Sequence, residues 1–196
     1  MKIIGLTGPI AAGKSEVARI LKRLGAWIME VDELAHTLYK PQTPVWSEIV
    51  KAFGSKVLKR GGEINRRKLG EIVFSDKRQL KILNNIIHPR LKEAVAKALE
   101  SCKQSAENSE QMIVINAAVM KEIGLVDYVD EVWVVLAFRE NRVKRLLKAG
   151  LPKEEALKRI NAQVSQQEYL KIADLVIKND GTVKQLNEKV RAGLKL

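Results

Sequence analysis

The sequence of 196 residues predicts an α/β fold in which a parallel sheet of about five strands is flanked by helices. Short apolar runs alternate along the chain with segments whose apolar residues recur at helical spacing. Strands that are separated by helices favour parallel pairing with right-handed crossovers. Because no repeat, low-complexity tract or long linker interrupts the pattern, a single domain over residues 1–196 is expected.

The predicted elements follow one another in a regular order. The strands are residues 2–6, 26–29, 112–116, 132–138 and a short one within 173–182. The helices are residues 14–24, 44–53, 76–87, 139–149, 152–163 and 182–194, with further ones beginning around Glu33 and at Pro89. Residues 59–67 are expected to form a turn and residues 101–111 a polar loop.

The segment GPIAAGKS, from Gly8 to Ser15, lies between the first predicted strand and the first predicted helix. It matches the phosphate-binding P-loop pattern, in which glycines let backbone N–H groups converge on phosphates at a helix start. Lys14 reaches the outer phosphates, and the Ser15 hydroxyl is a ligand for Mg²⁺. The predicted ATP-binding residues here are Gly8, Ala11, Ala12, Gly13, Lys14, Ser15 and Glu16.

Candidates for the acceptor side come after the second predicted strand and in the basic middle of the chain. Asp32 is placed to accept the proton of an attacking hydroxyl or to help position Mg²⁺, and Glu30 is a weaker candidate. The alternative for Asp32 is an N-cap of the helix that follows. His88 precedes a predicted helix and is open to a structural reading, whereas Arg90 is placed to reach an anionic substrate.

Asn116 ends the third predicted strand, where many P-loop proteins have a carboxylate for the metal. An asparagine can hold a metal-bound water but brings no charge. The sequence therefore leaves the metal role of this position open.

The net charge of +12 is concentrated in two segments. Residues 51–103 contain 14 Lys and Arg against 5 Asp and Glu, and residues 139–163 contain 8 against 3. Such charge attracts nucleic acid or a small polyphosphate substrate. With 5% aromatic residues and no nucleic-acid-binding motif, no nucleic-acid partner is expected.

Residues 139–163 combine two charged helical segments with a turn at AGLP, the arrangement of a lid that closes over ATP. Phosphoryl transfer develops negative charge that a mobile arginine stabilises. The alternative is a solvated charged hairpin. The arginines in question are Arg139, Arg142, Arg145 and Arg159.

The apolar start is interrupted by glycines and Lys14, so no signal peptide is expected. No apolar run approaches the ~18 residues of a membrane span. The single cysteine, Cys102, excludes an internal disulfide and is expected to be an inert thiol. A cytoplasmic location without a membrane partner is the expectation.

Taken together, the motifs resemble those of the dephospho-CoA kinases. The segments IIGLTGPIAAGKS, VDELAH, VFSD, IHP and IKNDGT occur in that family's order and run through nearly the whole chain. The P-loop alone is shared by many enzymes, whereas this ordered series is far more specific.

The resemblance implies a P-loop NTPase-type core of about residues 1–32, 111–138 and 164–196, a helical CoA-binding subdomain of about 33–110, and a lid of about 139–163. It implies transfer of the ATP γ-phosphoryl group to the ribose 3′-hydroxyl of dephospho-CoA, the last step of coenzyme A synthesis, with Mg²⁺. The alternative is a P-loop nucleoside or nucleotide kinase with another acceptor.

The resemblance also implies roles for single residues, on the donor and on the acceptor side. Catalytic roles fall to Asp32, Lys14 and Arg145, substrate contacts to Asp32, His88 and Arg90, and a place near the nucleotide base to Asn179.

This chain departs from the family's pattern at several positions. Asn116 and Ala118 stand where the family usually has an aspartate and a proline, and Lys121 stands at a usually aromatic place. The lid segment RLLKAGLP is one residue shorter than usual, and Lys148 replaces a common arginine. Lysine cannot make a planar two-pronged contact with phosphate. The departures concern metal positioning and lid closure, and they leave the P-loop and Asp32 unchanged.

Overall fold

The computed structural model describes residues 1–105 and 112–195. These residues form two compact units. The first unit is Met1–Glu30 together with the described part of Ala106–Leu196, and the second is Val31–Ser105.

The described strands form one sheet in the first unit. They are β1 (Lys2–Thr7), β2 (Trp27–Glu30), β3 (Met112–Asn116), β4 (Glu131–Leu136) and β5 (Leu175–Lys178). Their order across the sheet is β2-β3-β1-β4-β5, and every neighbouring pair is parallel. This confirms the predicted five-stranded parallel sheet, with β4 ending at Leu136 rather than at residue 138.

The described helices alternate with the strands and fill the connections between them. In chain order they are α1 (Lys14–Arg23), α2 (Val31–Leu38), α3 (Pro44–Phe53), α4 (Arg66–Ser75), α5 (Lys77–Ser105), α6 (Met120–Ile123), α7 (Arg139–Lys148), α8 (Lys153–Asn161), α9 (Gln166–Leu170) and α10 (Val183–Gly193). Short 3₁₀ turns occur at Ser55–Val57 and Val126–Tyr128.

The main core of the first unit lies between one face of the sheet and the helices α1 and α10. The central strands are covered by helices, which is why they read as nearly continuous apolar runs. The sheet contributes Ile4, Leu6, Val114, Trp133, Val135 and Ile177, and the helices contribute Val17, Ile20, Leu21, Leu186 and Val190. Burying such side chains stabilises the fold by about 1.5–3 kcal/mol each.

The second unit is helical and has a core of its own. Its buried side chains come from α3, α4 and the segment between them, and they are Val45, Ile49, Phe53, Val57, Ile64, Leu69 and Val73. The long helix α5 packs against them through Leu80, Leu83, Ile86 and Ile87.

Capping side chains explain where several helices begin. Thr43 Oγ1 accepts the backbone N–H of Trp46 at the start of α3, and Asn65 Oδ1 accepts that of Lys68 at the start of α4. A capping box at Thr182 starts α10. Each such cap satisfies an N–H group that has no partner within the helix.

The prediction that Pro89 begins a helix is wrong, because α5 runs through it from Lys77 to Ser105. Proline removes one helical hydrogen bond and crowds the preceding turn. Apolar packing holds the helix together on both sides, with Ile86 and Ile87 before the proline and the buried Leu91 after it.

Other boundaries also differ from the sequence-based expectations. The helix α2 begins at Val31 rather than around Glu33, and α4 begins at Arg66, inside the segment expected to be a turn. Part of the expected loop 101–111 is helical, since α5 continues to Ser105, and the rest of it, residues 106–111, lies outside the described residues. For α4 the cap at Asn65 outweighed the polar composition of the segment.

A search of the described helices for a stretch long and apolar enough to cross a membrane finds none.

Candidate active site

The loop between β1 and α1 has a backbone that its glycines make possible. Gly8 has a φ of +142°, and a Cβ there would lie 2.2 Å from the carbonyl oxygen of Val135. Gly13 has a φ of +107°, and a Cβ there would lie 2.0 Å from Nδ2 of Asn179. Any larger residue at either position therefore collides with the neighbouring strand end. Ala11 also takes a positive φ, of 58°.

Lys14 and Ser15 occupy the first turn of α1. Nζ of Lys14 donates a hydrogen bond to the carbonyl oxygen of Gly8 at 2.7 Å, so the side chain folds back over the loop. Ser15 is exposed. The first turn of a helix presents N–H groups without intrahelical partners together with a partial positive charge. This end of α1 is therefore suited to bind phosphate.

Arg145 and Asn179 bind the loop from its carbonyl side. The Arg145 guanidinium donates to the carbonyl oxygens of Ala11 at 3.0 Å, Ala12 at 2.8 Å and Asn179 at 2.6 Å. Nδ2 of the buried Asn179 donates to the same Ala12 oxygen at 2.8 Å. The predicted lid arginine thus contacts the P-loop itself, and its contact with phosphate stays a prediction.

Arg142 and Gln163 bind the loop at a second point, Ile10. Nε of Arg142 donates to the Ile10 carbonyl oxygen at 2.8 Å, while Oε1 of Gln163 accepts the Ile10 N–H at 2.8 Å. The Arg142 guanidinium also donates to Oε1 of Gln163 at 2.8 Å. Burial lowers the pKa of the Arg142 guanidinium, which nevertheless keeps its charge at neutral pH. Gln163 belongs to the segment INAQ, whose contact the sequence did not assign.

The other two arginines of α7 and α8 that the sequence singled out, Arg139 and Arg159, bind side chains within the hairpin. Arg139 donates to Oδ1 of Asn161, and Arg159 pairs with Glu155 one turn earlier on α8. The hairpin of α7 and α8 has a small core of its own, which includes Leu146, Ala156 and Ile160 and against which Ile10 and Ala11 pack. Only part of the hairpin is therefore a solvated charged surface.

Glu30 and Asn116 meet at the carboxyl ends of β2 and β3. Nδ2 of Asn116 donates to Oε2 of Glu30 at 2.7 Å. Thr7, the last residue of β1, donates its hydroxyl to the carbonyl oxygen of Ala118 at 3.4 Å. The sequence named Glu30 and Asn116 separately, and their pairing required the strand register to be known.

Lys121, at the position where the resemblance expects an aromatic residue, forms an ion pair. Its Nζ lies 3.0 Å from Oε2 of Glu168, joining α6 to α9. Lys171 and Lys121 together lower the pKa of the Glu168 carboxyl. The lysine thus makes an exposed electrostatic contact at this position.

Asp32 is the second residue of α2 in the second unit, and its side chain is exposed. The alternative in which it caps a helix that begins around Glu33 is wrong, because α2 starts immediately at Val31. Its proposed contact with an acceptor hydroxyl stays a prediction.

A cluster of polar rings lies one turn beyond Asp32. His36 and Tyr39 stack edge to face with centroids 5.8 Å apart, and the Arg66 guanidinium lies 5.9 Å from the Tyr39 ring centre. Burial, and then Arg66, lower the pKa of His36, while Asp32 and Glu33 oppose that shift. Burial raises the pKa of the Tyr39 hydroxyl. The sequence did not reveal this cluster, because Arg66 lies far along the chain from His36 and Tyr39.

His88 and Arg90 flank Pro89 on α5. Arg90 is exposed and lies 3.8 Å from Glu48 of α3 and 3.9 Å from Glu93. Exposed pairs at such distances contribute little, about 0–1 kcal/mol, so Arg90 can exchange them for an anionic ligand. The substrate roles of His88 and Arg90 stay predictions.

The first unit fits a magnesium ion that arrives with a nucleotide. Within residues 1–105 and 112–195, no group of three or more His, Cys, Asp or Glu side chains is arranged to hold a metal alone. Mg²⁺ at phosphates keeps several waters and needs only one or two protein ligands. The exposed Ser15 hydroxyl at the start of α1 is placed to be one of them.

Comparison with known proteins agrees with this geometry. Residues 2–185 match the family model of dephospho-CoA kinase. The chain is 38% identical to the dephospho-CoA kinase of Carboxydothermus hydrogenoformans over 191 residues, which is 97% of this chain and 91% of that protein. It is 42% identical to that of Moorella thermoacetica over 193 residues, 98% of this chain and 90% of that protein.

A solved structure supports the same assignment at the level of the fold. The dephospho-CoA kinase of Campylobacter jejuni matches with a TM-score of 0.71 at 27% identity, covering 100% of this chain and 96% of that chain. A phosphate-binding loop on a five-stranded parallel sheet, an extended sequence match and a matching fold lead to one conclusion: the chain belongs to the dephospho-CoA kinase family.

Proposed function

We propose that this enzyme, whose family phosphorylates dephospho-CoA with ATP, transfers the γ-phosphoryl group to the ribose 3′-hydroxyl with Asp32 as the acceptor-side base. The observation that carries the proposal is the P-loop between β1 and α1, held from its carbonyl side by Arg145, Arg142 and Asn179.

These outward contacts prepare the loop for phosphate. Across a trans peptide the C=O of one residue and the N–H of the next point in opposite directions. Because the carbonyls of Ile10 and Ala12 are bound on one side, the N–H groups of Ala11 and Gly13 point to the other. Donors fixed before the ligand arrives need no reorganisation when charge develops, which is the basis of electrostatic catalysis.

The other residues on the ATP side of the site then have separate roles. Lys14 exchanges its contact with the Gly8 carbonyl for the outer phosphates, and the Ser15 hydroxyl holds the magnesium ion. When bound, Mg²⁺ would be held by Ser15 and would supply positive charge that offsets the negative charge of the phosphates. Asn179 ties the loop to the end of β5 and is the candidate neighbour of the nucleotide base.

The acceptor side rests on the second unit. Asp32 follows the carboxyl end of β2 by two residues, and an exposed carboxylate is suited to accept the hydroxyl proton during transfer. Arg90 and His88 are proposed to bind the anionic part of dephospho-CoA.

A coupled assay of ADP release with Mg-ATP tests the proposal. We expect dephospho-CoA to stimulate turnover, whereas coenzyme A, whose 3′-hydroxyl is already phosphorylated, is the matched control and should not. Stimulation by a nucleoside or nucleoside monophosphate, with none by dephospho-CoA, would favour the alternative acceptor class and reject the proposal.

A further inference from the structure

The last residue pair of the β2–β3 ladder joins a carboxylate to an amide. Glu30 and Asn116 are register partners, and Asn116 in turn pairs with Leu6 of β1. The 2.7 Å hydrogen bond from Nδ2 of Asn116 orients the Glu30 carboxylate. Asn116 is only 7% exposed, so the amide is held firmly by its surroundings.

Both side chains lie on the face of the sheet that α1 covers. Side chains alternate between faces along a strand, so Asn116 shares a face with Val114 and Glu30 with Ile28. Val114 belongs to the core that α1 completes, and Ile28 packs against that core. Glu30 and Asn116 therefore lie at the carboxyl edge on the same side as the phosphate-binding start of α1.

Glu30 and Asn116 differ in what they can offer a magnesium ion. A magnesium ion at phosphates is bound through one or two carboxylates and several waters, and an amide contributes no charge to it. The amide N–H that Asn116 donates fixes the orientation of the Glu30 carboxylate without placing a second negative charge beside it. The Glu30 carboxylate is thus oriented before any metal arrives.

We propose that Glu30 is the carboxylate that receives the nucleotide-bound magnesium, through a bound water, and that Asn116 positions it. The negative charge at the carboxyl edge of the sheet then comes from Glu30 of β2. The neutral Asn116 at the end of β3 is a positioning residue. This inference rests on the proposed function, since it requires a nucleotide–metal complex at the P-loop.

The test measures metal binding rather than turnover. Mn²⁺ is titrated by electron paramagnetic resonance into the full-length protein saturated with ADP, and ADP affinity without metal is measured by calorimetry. For Glu30→Gln we expect Mn²⁺ affinity to fall about 10-fold or more, the range typical of ligand-shell changes, with metal-free ADP affinity nearly unchanged.

An exchange of the two groups makes the test specific. The double variant Glu30→Gln, Asn116→Asp moves the carboxylate to β3 and should recover Mn²⁺ affinity to within about threefold of wild type. Glu131→Gln, at the opposite end of the sheet, is the control.

The outcomes separate the two proposals. If Glu30→Gln binds Mn²⁺ as wild type does, or the double variant binds no better than Glu30→Gln, the role of Glu30 is overturned. If wild type itself binds neither ADP nor Mn²⁺ with ADP, the proposed function fails first. Circular dichroism checks folding, and Glu30→Asp replaces Glu30→Gln if the latter does not fold, with a smaller loss of Mn²⁺ affinity expected.

Discussion

Gly8 illustrates how a single residue limits what the P-loop accepts. We expect Gly8→Ala to lower the free energy of unfolding by about 2 kcal/mol or more, because the left-handed backbone is strained and the new Cβ meets the Val135 carbonyl. Gly25 also has a positive φ but nothing within 4 Å of a Cβ, so Gly25→Ala should cost only about 1 kcal/mol. Urea denaturation of both variants is the measurement, and equal losses would contradict the argument.

Asp32 is the residue on which the proposed chemistry depends. If Asp32 accepts the hydroxyl proton, Asp32→Asn should lower kcat about 100-fold or more while leaving the Kd for ATP within about twofold. Glu33→Gln, the exposed next residue of α2, is the matched control and should keep its activity. Steady-state kinetics and nucleotide titration provide both numbers, and an unchanged kcat for Asp32→Asn would exclude the base role.

His36 is the residue whose environment makes stability depend on pH. Burial and Arg66 lower its pKa, so the folded protein favours the neutral ring, whereas the unfolded chain binds a proton near pH 6.5. The unfolded state therefore binds more protons as pH falls below about 6.5, and stability decreases in that direction.

We expect His36→Gln to lose less stability than wild type between pH 7.5 and pH 5.5. Urea midpoints measured across that range for both proteins provide the comparison. Parallel pH dependences would show that other groups account for the effect.

At the scale of elements, the sequence predicted strands better than helix boundaries. Every described strand was predicted within about two residues, because a strand buried on both faces must be apolar throughout. The helix α4 was missed, since its basic first turn resembles a loop and only the cap at Asn65 indicates a start. Tertiary packing made α5 continuous through a residue that usually ends helices.

Pro89 allows the packing of α5 to be measured. Pro89→Ala restores the backbone N–H and removes the ring, so the free energy of unfolding should rise by about 1–3 kcal/mol. Lys81→Ala, at an exposed position of the same helix, should change it by less than about 0.5 kcal/mol. Chemical denaturation is the measurement, and a lower stability of Pro89→Ala would mean that the proline is required by the packing of α5.

At the scale of the whole molecule, the charge distribution concerns substrate binding. The basic excess falls in residues 51–103 and 139–163, and both proposed substrates carry phosphates. Salt screens such attraction, so raising KCl from 50 to 500 mM should increase KM for both substrates about threefold or more with little change in kcat.

The control for that experiment is a neutral osmolyte at the same osmolality, which should leave KM unchanged. RNA added to the assay tests the alternative that the basic segments bind nucleic acid. Stimulation of ATP turnover by RNA would contradict the expectation that no nucleic acid takes part. A KM that does not change with salt would contradict the expectation that the basic segments attract the substrates electrostatically.

The sequence by itself determined the parallel sheet, the P-loop and the family resemblance, because apolar periodicity and a contiguous glycine motif are local properties. The tertiary structure decided which groups surround that loop. The contacts of Arg145, Arg142 and Asn179 with the loop carbonyls, and that of Asn116 with Glu30, join residues more than 80 positions apart. Such contacts depend on strand order and register, which no local pattern encodes.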